Sequence, residues 1–62
     1  MITILIAEDE QIEYRYLRDM FLKHPGMYRV LDNALTGRDA VDMAFKYRPD
    51  VVIMDISMPV CN

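Results

Sequence analysis

Ile2-Thr3-Ile4-Leu5-Ile6-Ala7 is a short, β-branched and nearly unbroken apolar run. It has the look of a strand covered on both faces, as strands are in a parallel sheet. Covering both faces takes helices, and the rest of the chain has the period to supply them. From Glu10 to about Lys23, Ile12, Tyr16, Leu17, Met20 and Phe21 recur at helical spacing and make one apolar stripe. Asp9 or Glu10 can cap or charge the start of this helix, and Asp19 can pair with Lys23 one turn on. His24-Pro25-Gly26 ends it. Tyr28 to about Asn33 reads as a second strand, less apolar and so nearer an edge. Thr36-Gly37 opens a second helix, about Arg38 to Tyr47, with Ala40, Val41, Ala44 and Phe45 expected inside and an Asp42–Lys46 pair outside. Arg48-Pro49-Asp50 breaks that helix, and Val51 to Asp55 forms a third strand.

The order is β-α-β-α-β, which implies an α/β fold with parallel strands and right-handed crossovers. If the strands lie in the order 2-1-3, the strand order reverses between strands 1 and 3. Open α/β sheets bind ligands at such a point, outside the carboxyl ends of the strands. Strand 1 ends in Glu8-Asp9-Glu10 and strand 3 ends in Asp55, so acids far apart in sequence are predicted to converge.

Carboxylates a few ångströms apart raise each other's pKa unless a cation intervenes. Mg²⁺ suits such a cluster, because it takes one or two carboxylates and leaves positions for phosphate oxygens. A carboxylate can also act as a nucleophile and form an aspartyl-phosphate. The plainer readings are a helix N-terminus that favours acids through its dipole, and a turn aspartate after a strand. The predicted convergence of Glu8, Asp9 and Asp55 weakens both.

Composition excludes several other classes. The chain has 62 residues, 53% hydrophobic and 27% charged, enough for at most one small domain. No apolar stretch approaches the roughly 20 residues of a membrane span, and the N-terminus lacks the basic region of a signal peptide. A net charge of −3 argues against a nucleic-acid surface. The single cysteine, Cys61, excludes an internal disulfide framework and fits a reducing cytoplasm; exposed, it could oxidise between chains. His24 is a helix-end residue, and the four tyrosines lack any basic context.

Three segments carry a resemblance: Ile4-Leu5-Ile6-Ala7-Glu8-Asp9-Glu10, Ala34-Leu35-Thr36-Gly37-Arg38-Asp39-Ala40, and Pro49-Asp50-Val51-Val52-Ile53-Met54-Asp55-Ile56-Ser57-Met58-Pro59. Together they resemble the N-terminal half of a response-regulator receiver domain of two-component signalling. The resemblance implies part of a flavodoxin-like receiver fold, with helices on both faces of the 2-1-3 sheet. It implies that Asp55 accepts a phosphoryl group from a sensor histidine kinase. It also implies Mg²⁺ held by Asp9 directly, by Glu8 through water, by Asp55, and by the backbone carbonyl of Ser57. Glu8 stands where the family often has Asp. In the family a fourth strand brings a Ser or Thr to the phosphoryl group and a fifth brings a Lys, and neither has a counterpart in residues 1–62. The chain is therefore expected to be a receiver domain truncated after strand 3, without phosphotransfer activity of its own, from a parent that controls transcription.

Two rivals remain. A Mg²⁺-dependent phosphohydrolase with an aspartyl nucleophile commonly carries a second Asp two residues later, where this chain has Ser57. A non-catalytic association module is the other: strand 3 would be an open apolar edge, and such edges recruit other chains. Self-association through that edge, or poor stability, is expected.

Overall fold

The structure is a computed structural model that describes residues 1–60. Three strands and two helices alternate along it: β1 (Ile2–Ala7), α1 (Gln11–Leu22), β2 (Tyr28–Val30), α2 (Gly37–Tyr47) and β3 (Val51–Met54). The sheet order is β2-β1-β3 and both pairings are parallel, as expected. Ile2, Thr3 and Ile4 lie opposite Tyr28, Arg29 and Val30, while Ile4 through Ala7 lie opposite Val51 through Met54.

The centre of the sheet is also the centre of the core. Leu5 and Ala7 are fully buried, in one cluster with Ala34, Ala40 of α2 and Met58, flanked by Leu31, Met43 and Ala44. Strand alternation turns Ile4 and Ile6 to the opposite face. They are equally buried, on the side that α1 covers. The continuous apolar run of β1 is thus what a strand needs with one helix on each face. No helix among the described residues is long and apolar enough to cross a membrane.

The helix faces differ from expectation. In α2, Ala40, Met43 and Ala44 pack on the sheet, whereas Val41 and Phe45 are exposed, Phe45 at 71%. With 3.6 residues per turn, 40, 43 and 44 share a stripe, and 41 and 45 lie about 100° around from 40 and 44. In α1, which buries no residue fully, Leu17 and Phe21 are half-buried but Ile12, Tyr16 and Met20 face out. Neither predicted ion pair forms. Asp19 pairs with its neighbour Arg18 at 3.1 Å, and the Lys46 ammonium sits 5.1 Å from the Tyr47 ring centre. Both expected pairs were solvent-exposed, where such contacts are worth little and alternatives win easily.

Strand boundaries also shift. β2 ends at Val30, short of Asn33, and the chain rejoins β1 only at a single bridge between Ala34 and Ala7. Gly26 takes the left-handed turn after α1 (φ 86°), a conformation glycine adopts without strain. The segment after β3 folds back over the start of α2. Gly37 and Arg38 donate their N–H groups to the carbonyls of Pro59 and Val60 at 2.9 and 2.8 Å. A methyl on Gly37 would sit 3.4 Å from Val60 Cα, in ordinary van der Waals contact, so the two segments are closely packed here. Met58 is thereby carried into the core. The expectation for Cys61 lies outside the described residues.

Candidate metal and phosphoryl site at the ends of β1 and β3

Register explains why the acids meet. Ala7 faces Met54 at the end of the β1–β3 ladder, so the next residue on each strand is an acid, Glu8 and Asp55. Asp55 continues the contact, donating its N–H to the Ala7 carbonyl at 3.2 Å. One carboxylate oxygen from each of Glu8, Asp9 and Asp55 lies within 4.8 Å of the others. The topological prediction from sequence is met for these three residues.

Each acid is held differently. Glu8 is buried (7% exposed overall), although its carboxylate lies close to the surface. Its Oε2 accepts from the Glu10 N–H at 3.1 Å. Glu10 occupies the N-cap position of α1 but gives no side-chain cap, so the carboxylate serving the start of that helix is Glu8. Glu8's main chain is fixed from the other side: its N–H reaches the Ala34 carbonyl at 3.0 Å and Asn33 Oδ1 at 3.1 Å, and its carbonyl accepts from Asn33 Nδ2 at 2.6 Å. Asp55 Oδ1 accepts twice from Ser57, from the N–H at 2.9 Å and from the hydroxyl at 2.8 Å. Asp9 is exposed.

These contacts split the acids electrostatically. Asp55 falls below its ordinary value, chiefly because the Ser57 N–H and then the Ser57 hydroxyl stabilise its ionised form, with Glu8 adding a smaller hydrogen bond. For Glu8 the Glu10 N–H pulls downward, but desolvation, a hydrogen bond with Asp9, and the charges of Asp55 and Asp9 together push it up. Mutual repulsion was expected to raise all three acids. For Asp55 the two Ser57 donors outweigh the upward push of desolvation and leave the carboxyl below its ordinary value.

The donor set fits Mg²⁺. Oxygens bound at about 2.1 Å from one ion lie at most about 4.2 Å apart, so a 4.8 Å cluster needs only a small side-chain rotation, or a water in place of one direct bond. A surplus of hard oxygen donors, with no His or Cys among them, suits that ion better than a transition metal. A hollow of about 230 Å³ lies elsewhere. It is lined by Arg29, Val30, Leu31, Asp32 and Tyr47, and none of these belongs to the acidic cluster.

Sequence reasoning missed Asn33, the Ser57 hydroxyl and the burial of Met58. Ser57, two residues after an aspartate, carried a signal, since Asx-type turns use that spacing. Asn33 carried none, because its partner is 25 residues away. Ser57 meets Asp55 through its N–H and hydroxyl, beside the carbonyl role that the resemblance implies for it.

Residues 4–62 match the family described as response regulator receiver domain. Among curated relatives, the chain is 46% identical over 59 residues to the transcriptional regulatory protein DesR of Bacillus subtilis, covering 95% of this chain and 29% of that protein. It is 41% identical over 58 residues to a protein-glutamate methylesterase/protein-glutamine glutaminase of Alkalilimnicola ehrlichii, covering 94% of this chain and 15% of that protein. A protein of the same name from Colwellia psychrerythraea is 39% identical over 59 residues, 95% of this chain and 15% of that protein. The chain thus spans less than a third of the length of these relatives. No solved structure matches it. With its β-α-β-α-β order, its 2-1-3 parallel sheet and its acids gathered at one end of β1 and β3, the chain belongs to the response regulator receiver domain family of two-component signalling.

Proposed function

We propose that Asp55 is the phosphoacceptor of this receiver domain and that its donor is a phosphorylated histidine on a partner kinase in the cytoplasm. The convergence of Glu8, Asp9 and Asp55 at the ends of adjacent parallel strands carries the reading. An Asp55 carboxylate oxygen attacks phosphorus, the P–N bond to the donor histidine breaks, and the imidazole leaves with the bonding electrons and takes up a proton. Ser57 holds Oδ1 with two hydrogen bonds, which leaves Oδ2 as the attacking atom and keeps Asp55 ionised at neutral pH. Asp9 and Asp55 would hold Mg²⁺ directly, with Glu8 through water and the Ser57 carbonyl as a further ligand. The ion supplies neutralisation of the phosphoryl oxygens.

The test uses a small phosphoramidate, whose P–N bond matches that of phosphohistidine, with Mg²⁺ and the whole protein. Mass spectrometry of the peptide holding Asp55 should find one added phosphoryl group, lost on treatment with hydroxylamine and absent in Asp55→Asn. Asp9→Ala should weaken Mg²⁺ binding sharply. Label that persists in Asp55→Asn would overturn the assignment. As the output of the whole protein we propose transcriptional control, the role named for the Bacillus relative. DNA binding that is indifferent to phosphorylation would count against it.

A second reading rests on β3, whose Val51, Val52 and Met54 are 42–45% exposed and which has a strand partner on one side only among the described residues. Pairing of β3 with a second copy of the chain would satisfy that edge.

A further inference from the structure

We infer that Asn33 is a positioning residue for the acidic site, an amide clamp that sets the main chain from which Glu8 and Asp9 project. The inference rests on the proposed role of the acidic cluster and extends it to a residue outside that cluster.

The clamp begins with a step in register. Ile4 faces Val30, but three residues on Ala7 faces Ala34, so the segment opposite β1 contains one residue more than the ladder requires. An extra residue of this kind locally breaks a ladder and re-aims a side chain. The regular ladder makes its last bond from the Leu31 N–H to the Ile4 carbonyl at 2.9 Å, and Ala34 resumes bonding to Ile6 at 3.0 Å, leaving Asp32 and Asn33 out of register between them. From there Asn33 reaches past the end of β1 and treats Glu8 as a neighbouring strand would. Oδ1 accepts from the Glu8 N–H at 3.1 Å, and Nδ2 donates to the Glu8 carbonyl at 2.6 Å. The reverse amide orientation would set NH₂ against N–H and oxygen against oxygen, so the assignment is the only self-consistent one.

The clamp acts where the strand has run out of partners. The Glu8 carbonyl belongs to the peptide plane that leads into Asp9, so fixing it restrains the backbone of both acids. Glu10, next in line, is already tied to Glu8 Oε2. Ordinary strand pairing cannot do this, because the β2 side offers only the Ala34 carbonyl to the Glu8 N–H and nothing to the Glu8 carbonyl. An amide is the one uncharged side chain that matches a peptide group donor for acceptor and acceptor for donor. A carboxylate at this position would accept from the N–H but repel the carbonyl.

The expected consequence is a loss of Mg²⁺ affinity out of proportion to any loss of stability. Groups that orient metal ligands typically cost about tenfold in affinity or more when removed. The test is Mg²⁺ titration by calorimetry of the wild type, Asn33→Ala and Asp9→Ala, together with urea denaturation without metal. Asn33→Ala should bind Mg²⁺ about tenfold more weakly while still folded. Should that variant not fold, the wild type alone decides by NMR: the Asn33 side-chain NH₂ signals should shift with Mg²⁺ at the same midpoint as the Asp9 backbone amide. Affinity within twofold of wild type in folded Asn33→Ala, or Asn33 NH₂ signals that stay still while Asp9 titrates, would overturn the clamp and leave the site reading intact. Asp9→Ala that binds as wild type does would instead overturn the site reading on which the clamp rests.

Discussion

β1 and β3 are nearly interchangeable as sequence, both short and apolar, yet they meet opposite fates. Ile4, Leu5, Ile6 and Ala7 are at most 1% exposed, while Val51, Val52 and Met54 are 42–45% exposed. The difference is position. β1 has a strand on each side and a helix on each face, whereas β3 has β1 on one side only among the described residues. Local sequence thus determines that a strand forms, and neighbours determine how much its burial contributes. The site draws on both: β1 supplies a rigid end for Glu8 and Asp9, and β3 brings Asp55 to it.

The comparison breaks most visibly in the core. Leu5→Ala should destabilise the fold by ~2–5 kcal/mol, because no other group can fill the space between β1 and α2. Val52→Ala, on the exposed strand, should stay within ~0.5 kcal/mol. Paired urea denaturations of dilute protein measure both. Equal losses would mean that β3 is covered in solution. Sedimentation velocity then identifies the cover: if a second copy pairs along β3, association should rise with concentration, and Val52→Lys should abolish it by placing a charge on the strand.

What could be read from sequence divides along the same line. The strand order, the parallel sheet and the meeting of Glu8, Asp9 and Asp55 were legible because they follow from periodicity and topology. The sides of the helices were less so. Val41 and Ala40 are neighbours in an amphipathic helix, and only the stripe that meets Leu5 and Ala7 decides which one is buried. Asn33 was illegible for a stronger reason, since its role depends on a one-residue register step that no local pattern announces. Met58 lies past the end of β3, yet it is a core residue because the segment after β3 bonds to the first N–H groups of α2.

The helix starts offer a finer contrast. Thr36 is buried and its hydroxyl accepts from the Asp39 N–H at 3.1 Å, so α2 has a side-chain cap, while Glu10 at the start of α1 provides none. Thr36→Ala should cost ~1 kcal/mol in thermal or urea unfolding, and Glu10→Ala only a few tenths of that scale. A Glu10→Ala loss as large as that of Thr36→Ala would show that the N-terminus of α1 depends on more than the Glu8 carboxylate.

The smallest effect concerns the two acids that pair across β1 and β3. Glu8 is raised above its ordinary value of 4.5, so its protonated form is favoured by folding. The stability it contributes is fully present below pH 4.5 and is lost as pH rises through the higher folded value. Asp55 is lowered from 3.8, so its contribution is present above pH 3.8 and is lost as pH falls through its lower folded value. Metal-free protein should therefore gain stability as it is acidified toward pH 4.5 and give some of it back below 3.8. Glu8→Gln keeps an acceptor for the Glu10 N–H but carries no charge. It should remove the rise above pH 4.5 and leave the acid-side loss in place. Thermal melts across pH 3 to 8 separate the two arms, and a rise that survives in Glu8→Gln would assign it to a group other than Glu8.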